Sequence, residues 1–141
     1  IWSMFHNAPA FNQPIDNWDV SSVKDMNLMF YRITAFNQPI GNWNVSSVLD
    51  FNSIFEQAIS FNKDLGNWNT SAVTNMMNIF GGATSFNQDL SDWNISSNKS
   101  FVYLSLPTTV IGLLVEITID AAFILDLINS SAKDSVWGSS K

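Results

Sequence analysis

The phrase Phe-Asn-x-x-(Ile/Leu)-x-x-Trp-x-(Val/Thr/Ile)-Ser occurs four times in this chain, opening at Phe11, Phe36, Phe61 and Phe86, always 25 residues apart. A constant period of this size is the signature of stacked repeats, in which a unit too small to bury its own apolar face does so against its neighbours. The same register extends backwards, because Ile1, Met4, Phe5 and Ala8 match Met26, Met29, Phe30 and Ile33. The spacing predicts a repeat block over 1–100: a partial copy at 1–10, then copies starting at 11, 36, 61 and 86. Ile1 falling inside a copy predicts that further repeats and a targeting segment precede it in a longer or processed chain.

Within a unit the apolar residues suggest two elements. Trp18 and Val20 are two apart with Asp19 between them, as in a short half-buried strand, and Asn17, Gly41 and Gly66 supply turn chemistry before it. Ser22 and Ser47, with Asp25 and Asp50 three residues on, read as helix caps. Val23, Met26, Met29, Phe30 and Ile33 then follow at helical spacing, and Gly81-Gly82 reads as a helix end. The expected fold is an α/β solenoid with one short strand and one short helix per 25-residue repeat and a parallel sheet on one face. Asn12, Asn37, Asn62 and Asn87 are expected to satisfy loop amides of their own and adjacent copies.

The quoted phrase, followed by Met-x-x-Met-Phe in register, resembles the BspA-like leucine-rich-repeat surface proteins. The resemblance covers Ile1 to Ser100. It implies a leucine-rich-repeat-like solenoid, usually exported, with roles in adhesion or surface interaction, and it carries no catalytic residues. The pattern fades where Asn98 replaces the valine of Val23, Val48 and Val73, and where Ser105 replaces a phenylalanine.

Residues 101–141 form a separate segment. Val115 to Asp120 alternates like a strand, Ala121 to Ile128 suits a helix, and a polar stretch follows. The expected role is a cap over the last repeat or a docking tail. Only 101–128 is apolar enough to consider for a membrane, and Pro107, Gly112, Glu116, Asp120 and Asp126 argue against a span.

Composition narrows function. A net charge of −6 with six basic residues in no cluster opposes nucleic-acid binding. With no cysteine there is neither a disulfide framework nor thiolate chemistry. Asp16, Asp19 and Asp25 lack calcium-loop spacing, and Asp16 becomes Gly41, Gly66 and Ser91 in the other copies, while the single histidine, His6, has Tyr31, Glu56 and Gly81 as its equivalents. No catalytic, cofactor or metal site is therefore expected.

Two sets of residues remain. Trp18, Trp43, Trp68 and Trp93, with Phe11, Phe36, Phe61 and Phe86, form ladders that either line the core or offer stacking platforms to sugars, and their unvarying identity favours the core. Asp19, Asn44, Asn69 and Asn94 make a polar row expected to face a partner, and Asn44, Asn69, Asn94, Asn98 and Asn129 open Asn-x-Ser sequons that could carry glycans. The expected function is a non-catalytic extracellular or cell-surface module for protein or glycan adhesion. The alternative is a structural subunit that self-associates through its solenoid ends and apolar tail.

Overall fold

The computed structural model describes residues 1–94 and 96, which stack as successive coils in register. The expectations for 101–141 lie outside the described residues. Each coil has two halves. One runs through residues 1–8, 26–33, 51–58 and 76–83 and is built from overlapping turns. The other runs through 11–23, 36–48, 61–73 and 86–94 and carries the tryptophans.

The expected helix and strand per repeat are overturned. Among the described residues there is no helix and no strand, only isolated parallel bridges pairing Asp25 with Asp50 and Asp50 with Asn75. The reason lies in where the amides point. The N–H groups of Met26, Leu28, Phe30 and Arg32 donate to the carbonyls of Asp50, Asn52, Ile54 and Glu56 at 2.9–3.1 Å. The intervening N–H groups of Met29, Tyr31 and Ile33 close local turns onto Met26, Leu28 and Phe30. An α-helix would spend all of these donors within itself. Here every second one crosses to the next coil, and the pattern recurs from Phe51, Ser53, Phe55 and Gln57 to Asn75, Met77, Ile79 and Gly81.

Alternation of this kind requires left-handed residues at fixed places. Ser3, Leu28, Ser53 and Asn78 have φ of 52–56°, and Asn7, Arg32 and Gln57 have φ of 57–58°, in register with Gly82 at 69°. Leu28 and Arg32 occupy the third position of their turns, where a type II turn demands positive φ. The left-handed region costs an L-residue roughly 1–2 kcal/mol, and the cross-coil amide bonds of Leu28 and Arg32 hold them there. Gly82 thus belongs to this register and does not end a helix.

The expected strand fails for a different reason. Trp43 and Val45 are both buried and Asn44 is exposed, so the alternation of faces exists. Turns bound it closely on each side: Trp43 N–H bonds to Ile40 O, and Val48 N–H to Val45 O. The expected serine caps are also replaced. The side chain that accepts a backbone N–H at this corner belongs to Asp25, Asp50 or Asn75, bonding the amide two residues on at 2.7–3.1 Å.

Inside the coils the apolar residues form continuous columns. Phe30, Phe55 and Phe80 stack with centroids 5.4 and 5.5 Å apart, and Phe11, Phe36, Phe61 and Phe86 at 5.8–6.1 Å. Met26, Met29, Ile33, Val48, Phe51 and their equivalents in the following coils complete the buried core. Gly41 lies where coils approach closely, and a Cβ there would sit 2.5 Å from the Asp64 carbonyl oxygen.

Two substitutions test this architecture. Gln57→Val places a β-branched residue at an exposed left-handed position and is expected to lower stability by about 1–2 kcal/mol in urea denaturation, with Gln57→Asn near neutral. An unchanged midpoint for the valine variant would contradict the left-handed assignment. Asn27 Oδ1 is buried without a partner, because Leu28 stands where Ser53 supplies a hydroxyl to Asn52. Met77 occupies the same register. Asn27→Met is therefore expected to raise stability by about 1 kcal/mol, read as a higher denaturation midpoint.

Candidate interaction surface

In the tryptophan half, side chains join coils where backbone bonds do not. Asn37 N–H bonds to Asn12 Oδ1, Asn62 N–H to Asn37 Oδ1, and Asn87 N–H to Asn62 Oδ1, at 2.9–3.0 Å. Gln38 and Gln88 add their amide groups to Asn12 and Asn62. The indole N–H groups of Trp43, Trp68 and Trp93 donate to the carbonyls of Ile15, Ile40 and Leu65 in the preceding coil at 2.8–3.1 Å. These three tryptophans are 2–4% exposed, so none offers an open ring to a sugar. Trp18 is 37% exposed and packs beside Phe5, with Phe11 half-buried next to it.

The polar row Asp19, Asn44, Asn69 and Asn94 is exposed, yet its oxygens are engaged. Each Oδ1 accepts the N–H of the serine two residues on at 3.0–3.2 Å and that serine's hydroxyl at 2.6–2.7 Å. The row is thus a set of Asx turns that shapes the corner after each tryptophan. In the sequons at Asn44, Asn69 and Asn94 the serine hydroxyl is the group that bonds the asparagine, while Asn98 and Asn129 lie outside the described residues. The Ser21 hydroxyl, followed by the Ser21 backbone N–H, holds the Asp19 carboxyl below its usual 3.8. Ser91 does the same for Asp89. Asp16 and Asp25 come together with no other acid to make a metal-binding group among the described residues.

A different edge is free of such duties. In register, position by position, His6, Tyr31, Glu56 and Gly81 differ completely, and so do Asn7, Arg32, Gln57 and Gly82. All are exposed or half-buried. His6 stacks on Tyr31 with centroids 4.9 Å apart, the Arg32 guanidinium lies 5.1 Å from the Tyr31 ring centre, and Arg32 Nε donates to Gln57 Oε1 at 3.1 Å. The signal for this edge was present in the sequence as columns that change in every copy.

A family profile described as "Mycoplasma protein of unknown function, DUF285" matches residues 1–105. The chain belongs to that family. No curated protein and no solved structure matches it. Among the described residues no helix is long and apolar enough to cross a membrane, and the segment 101–128 considered for a span is not among them.

Trp68→Ala is expected to cost about 3–5 kcal/mol, and Trp68→Phe about 1–2 kcal/mol, through the buried Ile40 carbonyl left unpaired. Trp18→Ala should cost clearly less than Trp68→Ala in the same denaturation series, and equal costs would contradict the indole ladder. The depressed Asp19 carboxyl contributes stability that is present above its ordinary value of 3.8 and is lost as pH falls through the folded-state value. Asp19→Asn, which copies Asn44, is therefore expected to weaken the acid-side loss of stability while leaving the turn intact, checked by denaturation midpoints at neutral and acidic pH.

Proposed function

We propose that this chain is a non-catalytic surface or extracellular interaction module, related to the BspA-like surface repeat proteins, whose coils serve as a rigid spacer for one variable edge. A single observation carries the reading. Every unvarying column is occupied by core packing or by a turn or cross-coil bond, while the two adjacent columns of Tyr31, Arg32, Glu56 and Gln57 change in every copy and are exposed or half-buried. Variation at exposed sites on a fixed frame is how stacked-repeat proteins adapt to partners. The partner on this reading is a protein or glycan met outside the cell, and nucleic acid is disfavoured by the net charge of −6.

The exposed apolar residues of the first coil favour a second reading, assembly through coil ends. Trp2 is 65% exposed, Met4 48% and Trp18 37%, and on this reading a second copy covers them. Binding of the labelled chain to arrays of extracellular-matrix proteins and glycans distinguishes the two. Signal lost on combined substitution of Tyr31, Arg32, Glu56 and Gln57 is expected for the surface module. Absence of any signal, with mass in light scattering growing with concentration, would favour assembly.

A further inference from the structure

We draw no further inference here: the strongest candidate, the exposed apolar face of the first coil at Trp2, Met4 and Trp18, carries none because nothing in the structure shows what covers it.

Discussion

The structure depends on the direction of alternate backbone amides. Between Met26 and Ile33 one N–H closes a turn on its own coil and the next reaches a carbonyl 24 residues further along the chain. Neither set suffices alone. Local turns without the cross-coil bonds would leave buried donors unpaired, and cross-coil bonds without the turns would lose the curvature that brings each coil over the last. Because half of this network is non-local, a coil acquires its conformation only when another lies beside it. The left-handed residues follow from the same constraint, since they turn successive amides outward and inward by turns.

The two halves of a coil solve one problem by different means. The turn ladder joins coils through its backbone, so side chains there are chosen for packing inside and are free outside. The tryptophan half joins coils through Asn12, Asn37 and Asn62 and through the indoles of Trp43, Trp68 and Trp93. A side-chain bond specifies its residue type, and a backbone bond does not. That difference explains why Phe-Asn and Trp repeat without change while His6, Tyr31, Glu56 and Gly81 have nothing in common. It also explains why chemical variety gathers on the turn-ladder edge.

The period and the inward-facing set were legible. Met26, Met29, Phe30 and Ile33 are buried as their spacing suggests, but spacings of three and four residues suit a run of turns as well as a helix, and apolar periodicity cannot separate them. A contrary hint lay in Asn7, Asn78 and Gly82, residue types tolerant of positive φ that recur in two registers. The polar row was legible as exposed and illegible as Asx turns, because the serine two residues on could equally have served a strand or a cap. Asn69 and Ser71 look the same in either setting until the hydroxyl is placed.

Sequence alone determined that the chain is periodic, that its aromatic and aliphatic columns face inward, and that it belongs among stacked repeats, because burial of apolar surface depends on residue type and spacing. Tertiary structure decided whether those residues lie on helices, strands or turns, and which exposed columns are already employed. The reason is that an amide or a carboxamide oxygen has several partners within reach in one coil, and only the neighbouring coil, stacked in register, selects among them.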